Sequence, residues 1–292
     1  MEAYVDAFMN GFWGTINWTW KSIWLDVPWY TNYFWGLILI SLLVWGLEIL
    51  FPWRKDQSVF RKDFWLDAFY MFFNFFLFAI VINGVYKMLG VLFLDVGISS
   101  KTLAIMEMDH WPQWVQLLVF FILLDFVQWF THILLHKYPV LWEFHKVHHS
   151  VKEMGFAAHL RYHWMENILY KPLKTLGVMV LGGFEPEQAY IVHFAAIAIG
   201  HFNHSNIKLT YGPLKYILNN PVMHLYHHAY TIPEGSYGVN FGISLSIWDY
   251  LFKTNYIPES GGKIELGFPG DDQLPKGFWS QLIYGFKKRG EP

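Results

Sequence analysis

Ten histidines, drawn from 14 in the 292-residue chain, fall into four clusters. His132 and His136 stand at i, i+4. His145, His148 and His149 read His-x-x-His-His, and His224, His227 and His228 repeat that spacing. His201 and His204 form an i, i+3 pair. Neighbours at i+3 and i+4 share a helix face, so on a helix each cluster turns its imidazoles toward one point. With this histidine content, chance supplies only roughly 0.03 matches to His-x-x-His-His per chain. Two matches therefore point to metal binding rather than to scattered core or surface side chains.

The chain has no cysteine, which removes disulfides, thiolate metal sites and cysteine-ligated clusters. Imidazole without thiolate suits zinc, copper, iron or nickel. A structural zinc takes four ligands, so ten candidates are too many for one ion and enough for two. Two redox-active irons held close together can activate dioxygen. A haem held by two histidines needs one ring from each of two helices and has no use for adjacent rings such as His148 and His149. A zinc hydrolase asks for a general-base glutamate, as in His-Glu-x-x-His, and that motif is absent. A membrane protein that transports or stores metal with the same histidines is the alternative to an enzyme. Transporter sites lie near the bilayer midplane, whereas these clusters gather at the ends of apolar stretches. Asp125 lies seven residues before His132, two helical turns down the same face. It is placed to accept a ring N–H of a ligating histidine and so fix its orientation.

The elements that must hold these clusters are apolar. Hydrophobic residues make up 54% of the chain, aromatic residues 21% and charged residues 15%; soluble domains average about 25% charged. A net charge of −2 gives no reason to expect a nucleic-acid partner. Residues 1–30 carry Trp13, Trp18, Trp20, Trp24 and Trp29 among polar residues, a pattern suited to a membrane interface. The N-terminus lacks the basic region of a cleavable signal peptide. Residues 32–51, 64–89 and 112–136 are each long enough to cross a bilayer, which takes about 20 apolar residues. Residues 166–181 and 187–201 are shorter and read as a hairpin around Gly-Gly-Phe-Glu-Pro-Glu. Arg54, Lys55, Arg61 and Lys62 between the first two spans place that loop in the cytoplasm. Counting spans from there returns every histidine cluster, and the basic C-terminal run, to the same face.

The expected fold is thus an all-α integral membrane protein: a transmembrane helix bundle with a helical cap on the cytoplasmic face holding a histidine-rich dimetal site. Three regions follow. Residues 1–111 hold the interfacial segment and two spans, residues 112–256 the catalytic core, and residues 257–292 a C-terminal tail. The expected location is a bacterial inner membrane or the endoplasmic reticulum.

The order His-x-x-x-His, His-x-x-His-His, His-x-x-His-His resembles the fatty acid hydroxylase / sterol desaturase superfamily of integral-membrane di-iron enzymes. "DFVQWFTHILLH" resembles the family's Asp-led helix ending in its first histidine box. "LRYHWME" resembles its Arg-x-His-Pro-x-Glu stretch, with Trp164 in place of the proline. "HSNIKLTYGPLKYILNNPVMHLYHH", "NFG" and "WDYLFKT" are similar to its closing segments, with Lys253 where a glycine is usual. The likeness covers about half the chain. It implies two irons that use O2 and external electrons to hydroxylate or desaturate a C–H bond of a membrane lipid: a sterol, fatty acyl, sphingoid, alkylglycerol or carotenoid substrate. Carried over residue by residue, the ligands are His132, His136, His145, His148, His149, His204, His224, His227 and His228, with His201 added as the partner of His204. Asp125, Glu166, Asn240 and Asp249 are expected behind the ligands, as is His163. His110, His159 and His193 match nothing in the pattern and are expected to be structural. No stretch resembles a fused cytochrome b5 or flavin domain. The electrons are therefore expected from a separate donor of cytochrome b5, ferredoxin or flavoprotein type.

Overall fold

The computed structural model describes residues 1–105, 108–181, 186–258 and 264–286. Most of the turn between the two shorter apolar stretches (182–185) and the basic terminal run (287–292) lie outside these residues. The described residues are helical and contain no β-strand, only three isolated bridges. The principal helices are α1 (Glu2–Ile23), α2 (Tyr33–Leu50), α3 (Phe64–Asp95), α4 (Gln113–Lys137), α5 (Pro139–His149), α6 (Trp164–Leu181), α7 (Pro186–Asn203), α8 (Pro221–His227), α9 (Ile247–Leu251) and α10 (Phe278–Leu282). Helices α2, α3 and α4, of 18, 32 and 25 residues, are long and apolar enough to cross a membrane. They coincide with the three spans expected from sequence, except that α3 runs six residues further, to Asp95; it contains a π-helical turn at Phe73–Leu77.

The helix starts follow from local chemistry. Asn220 caps α8 by accepting a hydrogen bond from the Met223 amide at 3.0 Å, and Pro221 takes the first helical position. Asn32 accepts from the Trp35 amide at the start of α2. Pro139 opens α5 after an extended Tyr138. Proline at the first position suits a helix because its missing N–H has no partner there.

The chain forms two compact units. The first comprises Met1–Leu39, Phe72–Leu124 and Pro172–Ala195. Within it α1 lies antiparallel to the Phe78–Asp95 part of α3. Tyr4 donates to Asp95, and Asn83 Nδ2 lies 3.1 Å from Thr15 Oγ1. Glycine allows this approach: a Cβ on Gly11 would sit 2.9 Å from the Gly84 Cα. Trp13, Trp20, Trp24 and Trp29 remain exposed.

The second unit comprises Ile40–Met71, Asp125–Lys171 and Ala196–Pro292, and it holds every histidine cluster. The loop after α2 is tied to the histidine-bearing segments. Glu48 accepts from the amides of Phe156 and Asn206, both at 2.8 Å. Gln57 donates to the Met154 carbonyl, and the Lys62 amide to Glu153. Below this loop a charged network is buried. Asp67 accepts from Arg61 and, at 3.0 Å, from Arg161 Nη1, while Arg161 Nη2 donates to Ser150 Oγ at 2.8 Å. Asp67 is fully buried and Arg161 nearly so. Removing one partner from such a network typically costs about 3–5 kcal/mol, because the remaining charge is stranded. Residues 264–286, read from sequence as part of a tail, also pack into this unit. Phe278 lies edge-on to Phe69 and Tyr70, Tyr70 donates to Gln281, and the Leu282 carbonyl accepts from His163 Nε2 and Trp164 Nε1, both at 2.8 Å.

If α3 crosses the bilayer, the residues flanking it face opposite sides. In this cysteine-free chain, Ser58→Cys and Val96→Cys should react with a membrane-impermeant thiol reagent from opposite sides of oriented vesicles. Labelling of both from one side would contradict a crossing by α3.

Candidate metal centre

Nine imidazoles converge in the second unit in two groups. His132, His136, His145, His149 and His227 form one, and His148, His204, His224 and His228 the other. Within each group one nitrogen from every ring lies within 4.8 Å of all the rest. Helix α4 supplies His132 and His136, α5 supplies His145, His148 and His149, and the turn after α7 supplies His204. Helix α8 and the residue after it supply His224, His227 and His228.

Both repeated motifs split in the same way, contrary to the single point expected of each. In each motif the first and last rings enter one group and the middle ring enters the other. Helical geometry accounts for this: relative to the first residue, i+4 is displaced by about 40° and i+3 by about 60° in the opposite sense. The i+3 and i+4 rings therefore diverge. The two motifs are complementary, each giving two rings to one group and one ring to the other.

Six of the nine rings have an acceptor at Nδ1, whereas His224 Nδ1 and His228 Nδ1 are buried without one. His132 Nδ1 donates to the Phe241 carbonyl (2.8 Å), His136 Nδ1 to Tyr237 (3.2 Å) and His227 Nδ1 to Val239 (2.7 Å). His148 Nδ1 donates to the Arg161 carbonyl (3.0 Å) and His204 Nδ1 to Gly200 (2.7 Å). His145 Nδ1 lies 3.0 Å from Glu166 Oε2. A carbonyl oxygen only accepts, so each Nδ1 bonded to one carries the hydrogen, and Nε2 of a neutral ring is a lone pair. These lone pairs face one another. His132 Nε2 lies 3.1 Å from His145 Nε2, and His148 Nε2 lies 3.3 Å from His204 Nε2. His136 Nε2, His149 Nε2 and His227 Nε2 are buried with no hydrogen-bond partner.

Buried lone pairs aimed at each other are unfavourable unless a cation lies among them. Two nitrogens each about 2.1 Å from one ion, at about 90–110° to each other, are about 3.0–3.4 Å apart. The separations at 3.1 and 3.3 Å, and His224 Nε2 to His228 Nε2 at 3.2 Å, fall in that range, while His204 Nε2 to His224 Nε2 is shorter at 2.8 Å. Protons do not serve as the cations at neutral pH. Burial pushes the His148 imidazole down to about 4. Burial, and then repulsion among neighbouring imidazoles, holds His149, His224 and His228 well below the ordinary value. Neutral, deprotonated imidazole is the form a metal needs, so the residues present fit two metal ions.

The four residues expected behind the ligands divide unevenly. Only Glu166 meets an imidazole; its Oε1 also accepts from the His163 amide at 3.2 Å. Asp249 accepts from the amides of Phe241 and Gly242, from Trp129 Nε1 and from Thr254 Oγ1. It thereby fixes the turn whose Phe241 carbonyl orients His132. Asn240, at φ 51°, ties that turn to the Met223 and Tyr256 carbonyls. Asp125 bonds the amides of Ser244 and Leu245 and the Trp248 indole rather than any imidazole. Two turns of helix separate it from His132, too far for a direct hydrogen bond. Gly238 in the same segment leaves room for the rings, since a Cβ there would sit 2.9 Å from His136 Nδ1.

His201 is not drawn into either group. Its Nε2 lies 3.1 Å from Ser41 Oγ and its Nδ1 lies 2.8 Å from His159 Nδ1. His159, matched to nothing in the sequence pattern, stacks at a tilt near His204, with ring centroids 4.9 Å apart. His163 packs on Phe144. His193 packs on Tyr33 and Phe75 in the first unit, and His110 is exposed. Sequence reasoning missed the backbone acceptors at Tyr237, Val239, Phe241 and Arg161, because a carbonyl has no residue type to reveal it. The one available signal was the run of Gly238 and Asn240, which marks an unusual backbone path.

A family model described as fatty acid hydroxylase matches residues 117–254, which contain all nine grouped histidines. The ornithine lipid hydroxylase OlsE of Rhizobium tropici is 31% identical over 182 residues, covering 62% of this chain and 54% of that protein. Alkylglycerol monooxygenase of Danio rerio is 27% identical over 252 residues, covering 80% of this chain and 49% of that protein. The human alkylglycerol monooxygenase is 30% identical over 142 residues, covering 46% and 29%. The chain thus spans about half the length of these relatives or less. No solved structure matches.

Two outcomes test the grouping. His148→Ala and His227→Ala each remove a ring from one group, so each should lower the metal content of the purified protein, while His201→Ala and His193→Ala should retain it. Equal loss in His193→Ala and His148→Ala would refute the division. The second outcome concerns pH. An unfolded imidazole protonates near about 6.5, whereas folded His148 stays neutral down to about 4. Between these values the unfolded chain binds more protons, so the metal-free protein should lose stability as pH falls from about 6.5 to about 4. A denaturation midpoint that stays flat across that interval would contradict the buried, neutral rings.

Proposed function

Since residues 117–254 match a family model described as fatty acid hydroxylase, we propose that this chain is a membrane-embedded, O2-dependent hydroxylase of lipid C–H bonds, using two irons held by the nine grouped histidines. The observation that carries the reading is the convergence of buried imidazole nitrogens in two adjacent groups, six of the nine rings being oriented by an acceptor at Nδ1. Imidazole is compatible with iron. Relatives named for hydroxylation of ornithine lipids and mono-oxygenation of alkylglycerols favour hydroxylation over desaturation and a lipid over a soluble substrate. Helices α2, α3 and α4 suit access from the bilayer.

His132, His136, His145, His149 and His227 would hold one ion, and His148, His204, His224 and His228 the other. When bound, the irons supply the oxidising power that an unactivated C–H bond demands and that no side-chain acid or base possesses. The overall balance is lipid C–H, O2, two electrons and two protons giving lipid C–OH and water. The protein's part is orientation. Glu166 holds His145, and the carbonyls of Tyr237, Val239 and Phe241 hold His136, His227 and His132. Asp249 and Asn240 hold the turn that presents those carbonyls, and Arg161 presents its own carbonyl to His148. Losses of this supporting kind typically cost about 10–100-fold in metal affinity or activity.

The electrons would come from a separate cytochrome b5, ferredoxin or flavoprotein. The basic loop carrying Arg54, Lys55, Arg61 and Lys62 folds against the histidine-bearing segments, which together with the positive-inside tendency supports a metal centre on the cytoplasmic face of a multi-pass protein.

The test is comparative lipid profiling of cells with and without the gene, supplied with heavy-isotope oxygen gas. The expected difference is a lipid that gains one oxygen atom, labelled from the gas, and that disappears in His148→Ala. Loss of two hydrogens without oxygen gain would replace hydroxylation by desaturation. No lipid difference in an iron-loaded, electron-supplied system would overturn the proposal.

A further inference from the structure

Beside the metal centre lies a cavity of about 160 Å³, framed by the end of α4 and the starts of α5 and α6. Leu135, Leu141, Phe144, Met165, Ile168 and Leu169 line it, together with Glu166. Exposure is graded across the lining. Ile168 at the rim is 42% exposed, whereas Phe144 and Leu135 are 7% and 1% exposed. The one charged group offers nothing to a polar guest. Glu166 Oε2 is engaged by His145 Nδ1, and Oε1 accepts the His163 amide. Water needs two to four polar partners to settle in such a space, and a cavity of about 150 Å³ lined by Leu, Ile and Phe stays dry and takes up benzene.

The geometry points to this cavity as an anchoring subsite for an aliphatic segment of about six carbons from the lipid substrate, held apart from the carbon that reacts. The separation follows from His145. Its Nδ1 edge meets Glu166, which lines the cavity, while its Nε2 edge faces His132 Nε2 at 3.1 Å. An occupant of the cavity therefore sits across the imidazole from the converging nitrogens. Its burial contributes binding at a distance, the kind of remote energy that positions a reacting group. This inference rests on the lipid-hydroxylase reading for the identity of the guest, and on the lining alone for its aliphatic character.

The test is photolabelling of the full chain, purified in detergent without any electron donor so that no turnover occurs. The probe is 1-O-hexadecylglycerol carrying a diazirine on the last chain carbon. Label is expected on peptides containing Leu135, Leu141, Phe144 or residues 165–169. Leu169→Trp fills the cavity with an indole and should cut that label by about tenfold, since a few excluded methylenes suffice for such a change. Metal content at the wild-type level in the same variant would show that the fold persists. Met165→Ala enlarges the cavity and should raise the label, which decides the matter if Leu169→Trp does not fold. Label spread over exposed apolar residues of α2 such as Leu39 and Leu43, unchanged by either variant, overturns the subsite. Specific cavity label in a protein that oxygenates no lipid would sink the hydroxylase reading and keep the subsite. Oxygenation with the label elsewhere would do the reverse.

Discussion

Everything in the second unit depends on one electrostatic constraint: neutral imidazoles buried with their lone pairs turned toward each other. His132 Nε2 and His145 Nε2 at 3.1 Å, and His148 Nε2 and His204 Nε2 at 3.3 Å, would repel in an empty protein interior. Burial makes protonation an expensive remedy, as the depression of His148 shows. A divalent cation in each group would turn the same arrangement from a liability into a stabilising one. The doubled His-x-x-His-His motif is the sequence form of that requirement. One helix cannot aim three rings at one ion, but two such helices exchange their i+3 rings and complete both groups.

Rings aimed this way must be prevented from rotating, and much of the remaining structure serves that end. The segment around residues 237–242 presents three carbonyls in succession to rings from α4 and α8. Asp249 anchors that segment with four accepted hydrogen bonds, and Asp125 anchors its continuation at Ser244 and Leu245. On the other side, the buried Arg61–Asp67–Arg161 network fixes the backbone whose carbonyl receives His148. The carboxylates thus work mainly on backbone, and the backbone works on the metal-binding rings. Among the described carboxylates, only Glu166 acts directly on one of the nine grouped imidazoles.

Much of this was legible in the residue order. Spacing identified the histidine clusters, and apolar run length located α2, α3 and α4 to within a few residues, because both signals are local. Helix α3 was underestimated at its end, where Gly90, Asp95 and Gly97 blur the apolar pattern. What spacing did not reveal depends on contacts between distant segments. The exclusion of His201 follows from Ser41 and His159, which lie 160 and 42 residues away. The role of Asp125 follows from a turn 119 residues downstream. The carbonyl acceptors carry no side-chain signature at all, and the packing of residues 264–286 against Tyr70 and His163 has no periodic pattern to announce it.

The central claim is that the nine rings form two ion-binding groups rather than one site with spare histidines. Its most direct measurement is metal content per chain, by elemental analysis of the full-length protein purified from iron-replete cells and kept active. The account predicts two irons per chain. A single ion per chain, or one zinc unaffected by iron supply in a fully active preparation, would contradict it.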